Sequence, residues 1–237
     1  MTGLSFASLF GALPLALQKE ATVWMPQQSS TVAVFIDDLF YVIFYICMFF
    51  FVGITLALII IVYKYRDREG GQHNPKPSPH HNFALEVTWS IIPLILAIAI
   101  FWVGYKGYLD LRTPPAGAYN INVTGQQWTW LFQYPNGKVD SVLHVPVGTP
   151  IELTMTSEDV LHSLFVPDFR VKQDVVPGRY TKLWFQSDYE GEHNLFCTEY
   201  CGKDHSSMIT KVLVQSQGEF NKFINSDPPD VDQASGG

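Results

Sequence analysis

The chain has 237 residues, of which 47% are hydrophobic, a length that allows one large domain or a smaller domain with an accessory part. Its formal net charge of −7 is uneven: residues 1–109 carry six bases and six acids, whereas residues 110–237 carry nine bases and sixteen acids. An acidic second half argues against a nucleic-acid partner and favours a basic one, although charge alone is equally compatible with ordinary solubility.

Residues 1–34 are predicted to form a separate N-terminal segment. Residues 1–17 are apolar and small but contain no Lys or Arg. They therefore match a secretory signal or leader only in part, and an ordinary N-terminus fits them equally well. Residues 19–31 are more polar, contain Pro26 and predict a loop.

The first long apolar stretch predicts a membrane-spanning helix. Leu39–Tyr63 contains no charged residue and exceeds the roughly 20 residues that such a helix needs, which disfavours a buried helix of a soluble protein. Asp37 and Asp38 precede the stretch and suit the N-terminal end of a helix. Cys47 lies inside the stretch, where we expect it to be a small core residue.

A second apolar stretch, Val87–Tyr105, completes a predicted helical hairpin over residues 35–110. Pro93 lies within this stretch, and proline is tolerated in membrane helices. The connecting loop, residues 64–81, is predicted to be cytoplasmic because four basic residues lie in it: Lys64, Arg66, Arg68 and Lys76. Everything after the hairpin is then on the outer side of the membrane, which is the periplasm in a bacterium.

Glu86 stands at the cytoplasmic start of the second predicted span. A carboxylate there is stabilised by the positive end of the helix dipole, and the residue alone favours this ordinary role. Ionisable groups near a membrane interior are often functional, so proton handling is the alternative.

The pattern changes after a Pro-Pro-Ala-Gly linker at residues 114–117. Short β-rich stretches separated by turn residues predict a β-sandwich or barrel. The tail, residues 226–237, is rich in Asp, Pro and Gly and is predicted to be disordered. The predicted strands are Tyr119–Thr124, Trp128–Tyr134, Val142–Val147, Ile151–Thr156, Leu161–Val166, Thr181–Gln186, His193–Cys197 and Ile209–Gln215.

One short stretch, Cys197–Met208, concentrates soft metal donors. Its two thiols, imidazole and thioether favour copper over calcium or magnesium. A zinc ion would use both cysteines, His205 and one distant histidine, and leave Met208 without a role. A single blue copper needs one thiolate, whereas two coppers bridged by two thiolates would use every donor. A Cys197–Cys201 disulfide would leave the histidine and methionine unexplained.

The Cys197–Met208 stretch resembles the copper loop of subunit II of haem-copper cytochrome c oxidase, C-x-E-x-C-G-x-x-H-x-x-M. The resemblance extends over Phe35–Val214. It implies an α+β membrane protein in which a two-helix transmembrane hairpin precedes a cupredoxin-like β-sandwich at residues 111–225. Four further segments are similar to that family: Glu86–Trp89, Gly125–Trp130, Ser157–Ser163 and Lys172–Arg179.

The resemblance also implies a dinuclear copper centre in which both thiolates bridge the metals and each histidine binds one copper. Met208 would be a weak ligand. Glu199 would bind copper through its backbone carbonyl and magnesium, shared with subunit I, through its side chain. The implied copper ligands are His162, Cys197, Glu199, Cys201, His205 and Met208.

Two residues outside the ligand set acquire roles from the same resemblance. Trp128 matches the tryptophan at which electrons from cytochrome c enter, although position alone favours a packed strand aromatic, as for Trp130. Glu86 matches the glutamate at the mouth of a proton pathway into subunit I. His193 is predicted to be a hydrogen-bonded strand residue rather than a third copper-binding imidazole.

The implied function is subunit II of a respiratory cytochrome c oxidase in the cell inner membrane. Cytochrome c (soluble, membrane-anchored or in a supercomplex) would deliver electrons to the copper centre. Haem, present only in partner subunits, would receive them in subunit I, where oxygen is reduced to water with proton translocation. Subunit III is a further expected partner, and no C-x-x-C-H motif provides a fused cytochrome c.

Three other functions remain open from the residues. A quinol oxidase subunit has a similar topology but lacks the copper ligands. A membrane-tethered copper carrier would keep the copper loop but have no use for Glu86. A zinc-stabilised extracellular binding domain would hold one colourless metal.

Overall fold

The computed structural model describes residues 20–66 and 80–226. The chain divides into two compact units. One is Asp38–Gly107, and the other combines Met1–Asp37 with Tyr108–Gly237. Most of the predicted leader, much of the predicted cytoplasmic loop and all of the predicted tail except Ser226 lie outside the described residues.

The first unit consists of two long apolar helices, whose outer ends extend into the second unit. Helix α1 is Thr31–Tyr65 and helix α2 is Phe83–Arg112. Both are long and apolar enough to cross a membrane, and large side chains such as Phe49 (74% exposed) and Phe101 (67%) point outward. Because water would penalise such exposure and hydrocarbon would not, the helices are built for a bilayer. The predicted pair of apolar helices is confirmed.

Two details of the first helix were predicted wrongly. Cys47 is exposed rather than part of a core. Asp37 does not mark the helix start, because the helix begins six residues earlier at Thr31. Ser30 precedes that start and caps it, its hydroxyl accepting from the Ala33 N–H at 3.1 Å.

The start of α1 is fastened to the β-strand unit by a buried ion pair. Arg170 holds Asp37 through two parallel hydrogen bonds of 2.8 and 2.9 Å, and both side chains are at most 7% exposed. Gln28 donates a further bond of 2.9 Å to the same carboxylate. Ser30 also donates to the Phe169 carbonyl at 2.9 Å. The segment before the first span is therefore part of the β-strand unit.

The second unit contains ten strands within the part of the chain that the structure describes. Eight of them overlap the predicted stretches, and two, β3 and β7, were not predicted. β3 has only two residues. β7 buries the valine at each end but not the polar residues between them, so its sequence does not alternate clearly. The strands are β1 (Tyr119–Gln126), β2 (Thr129–Gln133), β3 (Val139–Asp140), β4 (Leu143–Pro146), β5 (Ile151–Ser157), β6 (His162–Val166), β7 (Val171–Val175), β8 (Thr181–Phe185), β9 (Gly191–Cys197) and β10 (Ile209–Gln215).

These strands form two five-stranded sheets, in the orders β3-β2-β1-β5-β8 and β4-β10-β9-β6-β7. The β1–β5 and β4–β10 pairs are parallel and the other pairs are antiparallel. Alternate residues of β5, from Ile151 to Ser157, are buried, as expected for a strand with one face on the core. One apolar core joins the inner faces of both sheets. The predicted β-sandwich is confirmed.

A third helix, α3 (Gln217–Asn225), follows β10 and was not predicted. Ser216 and Glu219 form a reciprocal capping box at its start, a signature that was readable in the sequence. Its aromatic face packs on the sandwich: Phe220 is buried, and Phe223 stacks on His144 at 3.8 Å between ring centroids. The helix thereby covers the end of the core near β4.

Candidate metal centre

Two neighbouring strands and one loop bring the donor residues together. His162 begins β6 and Cys197 ends β9, and these strands are antiparallel neighbours, with Leu164 paired to Cys197. The Cys197 N–H donates to the Met208 carbonyl at 3.2 Å, which closes the loop between β9 and β10. A short 3-10 turn at His205–Ser207 carries the chain back to β10.

Six donors converge at this loop. The two sulfur atoms of Cys197 and Cys201 are 3.8 Å apart, and both residues are buried free thiols. The ligand atoms of His162, Cys197 and Cys201 all lie within 4.8 Å of one another. Three further donors complete the group: His205 Nδ1 is 3.4 Å from Cys201 Sγ, Met208 Sδ is 3.9 Å from Cys201 Sγ, and the Glu199 carbonyl is 3.4 Å from Cys197 Sγ.

The electrostatics of the paired thiols fit a bound cation. Burial, and then the neighbouring Cys197, raises the pKa of the Cys201 thiol to about 12. Two adjacent thiolates are thus costly at neutral pH unless positive charge lies between them, which a soft metal ion supplies. Sulfur, imidazole and carbonyl donors at these spacings match copper better than a hard ion. The protein residues fit a copper site.

His162 is held in one orientation by a neighbouring carboxylate. The ring is fully buried, and its Nε2 lies 2.8 Å from Asp159 Oδ1. If Nε2 carries the proton, it donates to Asp159 and leaves Nδ1, 3.8 Å from Cys197 Sγ, free to bind a metal. Burial alone would raise the pKa of Asp159, but hydrogen bonds from His162, Val160 and Gln127 bring it below its ordinary value.

The two tryptophans near the site differ in burial. Trp130 is 1% exposed and meets His162 edge to face, as a packed strand aromatic does. Trp128 is only partly buried and lies against Gly202, the residue after Cys201. A Cβ on Gly202 would be 3.2–3.3 Å from the Trp128 ring, and its φ of +128° also favours glycine.

Two roles were missed at the sequence level. Asp159 and Gln127 lie inside segments similar to the copper family, yet their hydrogen bonds could not be assigned from spacing. The Gln127 N–H donates to Asp159 at 2.7 Å, and its side-chain amide donates to the Cys201 carbonyl at 2.7 Å. Only the position of Asp159 three residues before His162 hinted at the contact between those two side chains.

Glu86 and His193 lie outside this donor group. Glu86 is in the first turn of α2, where its carboxylate accepts the Asn82 N–H at 3.1 Å and lies 3.5 Å from His81. His193 is buried in β9 with Nδ1 2.7 Å from Asp168 Oδ2. The prediction that His193 is a hydrogen-bonded strand residue is confirmed.

Comparison with known proteins identifies the family of this chain. Residues 18–105 match the model of the cytochrome c oxidase subunit II transmembrane domain, and residues 136–216 match that of the periplasmic domain. Together the two matches cover more than two thirds of the chain. The chain belongs to the cytochrome c oxidase subunit II family.

Relatives of this chain include subunits of cytochrome c oxidases and of a quinol oxidase. An alternative cytochrome c oxidase subunit 2 of Bradyrhizobium diazoefficiens is 29% identical over 224 residues, which are 80% of this chain and 79% of that protein. A quinol oxidase subunit 2 of Bacillus spizizenii is 29% identical over 75% of this chain and 58% of its own length. The crystal structure of the periplasmic domain of subunit II from Bradyrhizobium japonicum is 34% identical, with a TM-score of 0.45, over 47% of this chain and 94% of that chain.

Proposed function

We propose that this chain is the electron-accepting subunit of a respiratory cytochrome c oxidase. In this proposal it takes electrons from cytochrome c at a dinuclear copper centre and passes them to haem in subunit I. Oxygen is reduced to water there, with coupled proton translocation. The observation that carries the proposal is the pair of buried free thiols 3.8 Å apart, surrounded by two imidazoles, a thioether and a backbone carbonyl.

The residues proposed to hold copper are held in place by other contacts within the chain. Two copper ions held by these residues would supply one-electron redox chemistry. His162 is fixed by Asp159, and Cys197 by its place at the end of β9. The loop hydrogen bond from Cys197 to Met208 holds the thioether beside Cys201. Such preorganised donors favour a redox change with little movement of the protein.

Glu199 is proposed to serve two metals through different atoms. Its backbone carbonyl faces Cys197 Sγ, on the copper side of the loop. Its partly exposed carboxylate is available to a harder ion, and magnesium prefers such oxygen ligands. We propose that this magnesium is shared with subunit I.

The proposed assembly places the chain in the cell inner membrane with the copper domain on the outer side. Subunit I and subunit III are the proposed membrane partners, and the haems belong to partner subunits. Electrons from cytochrome c, whether it is soluble, membrane-anchored or part of a supercomplex, enter at Trp128. Glu86, with 42% of its side chain exposed, stands at the entrance of a proton pathway.

Metal counting tests the copper proposal directly. The purified full chain is loaded with copper, its copper-to-protein ratio is measured, and electron paramagnetic resonance is recorded. We expect two coppers per chain that share one unpaired electron. One redox-silent metal, or one isolated copper, would contradict the proposal. Co-purification of a haem protein with the chain tests the proposed partnership separately.

Replacement of one bridging thiol tests the assignment of ligands. We expect Cys201→Ser to abolish the two-copper signal and oxidation of cytochrome c by the assembled oxidase, because an alcohol does not bridge two soft ions as a thiolate does. Cys47→Ser removes the exposed thiol of helix α1, which is not one of the proposed copper ligands, and is the matched control. Full cytochrome c oxidation by Cys201→Ser would rule out a bridging role for this sulfur.

A further inference from the structure

The contact between Trp128 and the copper loop is made at a glycine. A Cβ at Gly202 would lie 3.2 Å from Trp128 Cζ2 and 3.3 Å from its Nε1. It would also lie 2.9 Å from the side-chain nitrogen of Gln127, closer than real Cβ contacts allow. The indole and the Gln127 amide therefore occupy the space that any other residue at position 202 would fill. Because Gly202 follows Cys201, this contact brings the ring to the backbone of the metal site.

The polar atom of the indole does not hold it there. Trp128 Nε1 is buried and has no hydrogen-bond partner among the described residues. The ring is only partly buried, so packing covers it on one side. A ring without a polar tether on a partly exposed surface needs another restraint if it is to keep a fixed distance from the site.

Gln127, the residue before Trp128, makes two hydrogen bonds to the residues around the proposed copper site. Its side-chain amide donates to the Cys201 carbonyl at 2.7 Å, which fastens it to the copper loop. Its backbone N–H donates to Asp159 at 2.7 Å, and the same carboxylate lies 2.8 Å from His162. The residue immediately before Trp128 is thus bonded to one proposed ligand directly and to another through a single carboxylate.

We propose that Gln127 is a positioning residue that holds Trp128 against Gly202 on the copper loop and so fixes the path by which electrons reach the metals. The inference rests on the proposed function for its role in electron transfer. The seating of the indole itself depends only on this chain. Gln127 acts through Trp128 and need not contact the copper.

Fluorine NMR of the full chain in detergent tests the seating. The tryptophans are labelled as 5-fluorotryptophan, and Trp128→Phe assigns the Trp128 resonance in the metal-free protein. Gln127→Met keeps the side-chain length and removes the donor. We expect the seated population of Trp128 to fall about threefold to tenfold, the range set by losing one hydrogen bond, while the Trp130 resonance stays unchanged. Gln133→Met, on an exposed position of β2, is the control and leaves both resonances in place.

Kinetics of the assembled, copper-loaded oxidase test the consequence. We expect Gln127→Met to slow electron transfer from bound cytochrome c by the same factor, with the KM for cytochrome c and the copper spectrum unchanged. An unchanged Trp128 resonance would overturn the proposal, and so would a raised KM alone, which assigns Gln127 to docking. Because the resonance is read in the metal-free chain, it decides the seating even if the copper proposal fails.

A variant of Gly202 tests the same contact between Trp128 and the copper loop. Gly202→Ala places a Cβ where the Gln127 amide and the Trp128 ring now lie. We expect the same displaced Trp128 resonance as in Gln127→Met. A seated resonance in both variants would show that neither the donor nor the glycine positions the ring.

Discussion

One ring nitrogen of the buried His162 imidazole depends on Asp159 for its hydrogen bond. The ring is fully buried, while the carboxylate that it meets is 29% exposed in its side chain. The same carboxylate also accepts the N–H groups of Gln127 and Val160. One side chain therefore orients a proposed copper ligand and holds the turn that carries Trp128.

Removal of this carboxylate is expected to weaken metal binding without removing a ligand. In Asp159→Ala the His162 Nε2 loses its partner and the ring can rotate. We expect the copper affinity to fall about 10-fold to 100-fold, as for other residues that orient metal-bound histidines. Competition with a copper chelator measures the affinity. Glu158→Ala removes the adjacent exposed acid and is the control. Equal copper affinities in the two variants would show that Asp159 does not orient His162.

The sequence grouped the candidate donors but did not indicate the residues that support them. Cys197, Cys201, His205 and Met208 lie within one short loop, so spacing alone grouped them. The bond from Gln127 to the Cys201 carbonyl joins residues 74 positions apart and is made by a main-chain atom. No side-chain motif can indicate a bond of that kind, since any residue offers the same carbonyl.

At the scale of elements, charge was a poor guide to where helix α1 begins. Two adjacent acids before an apolar stretch resemble a helix start, yet Asp37 is in the second turn and pairs with Arg170, 133 residues away. The true start is set by the Ser30 cap. A buried partner so distant along the chain leaves no local pattern, whereas the Ser216–Glu219 capping box of α3 did leave one.

Removal of one partner of the buried Asp37–Arg170 ion pair is expected to destabilise the folded protein. In Arg170→Met, Asp37 keeps Gln28 but loses the guanidinium, and breaking such a pair costs about 3–5 kcal/mol. We expect a matching loss in the free energy of unfolding, measured with urea on the full chain in detergent. The double variant Asp37→Leu with Arg170→Met should recover much of this loss, because no unpaired charge remains buried.

An exposed ion pair gives the comparison. Lys182 and Glu152 lie on neighbouring strands, and Lys182 is 64% exposed in its side chain. Lys182→Met is expected to change stability by less than about 1 kcal/mol, as for other surface pairs. If Arg170→Met cost no more than Lys182→Met, the buried pair would not fasten the helix.

The packing of α3 on β4 is expected to depend on pH. Burial lowers the pKa of His144, whose ring stacks on Phe223 and is hydrogen-bonded to Gln215. The unfolded chain takes up a proton near pH 6.5 while the folded ring stays neutral, so stability is full above that pH and falls below it. We expect His144→Phe to flatten the fall in unfolding free energy between pH 7 and pH 5. Identical pH slopes for the wild type and this variant would contradict the assignment.

On the scale of the whole molecule, the chain separates a neutral membrane half from an acidic outer half. The net charge of −7 belongs entirely to residues 110–237. Composition was sufficient to predict this division, and with it the two apolar helices and the sandwich, because both hydropathy and charge are additive along the chain. The sequence could not place the acids relative to Trp128, since that requires the strand order.

An acidic outer domain is expected to attract a basic cytochrome c through long-range electrostatics. We expect kcat/KM for cytochrome c to fall steeply as ionic strength rises from 10 to ~150 mM, because the screening length shrinks from about 30 to about 8 Å. Steady-state oxidation by the assembled oxidase measures it. A kcat/KM that does not change with ionic strength would show that the acidic residues do not attract cytochrome c.

Two variants that each remove one negative charge locate the surface that attracts cytochrome c. Glu158 is exposed, and its N–H donates to the Gly125 carbonyl near the strand end that leads to Trp128. Glu190 is exposed and precedes β9, whose other end is Cys197, roughly 20 Å away for a strand of seven residues. Each variant to Gln removes one charge, so a uniform field predicts equal losses of kcat/KM for cytochrome c at ~150 mM ionic strength. We expect the larger loss in Glu158→Gln, because a charge beyond two screening lengths from the docking point contributes little at physiological ionic strength.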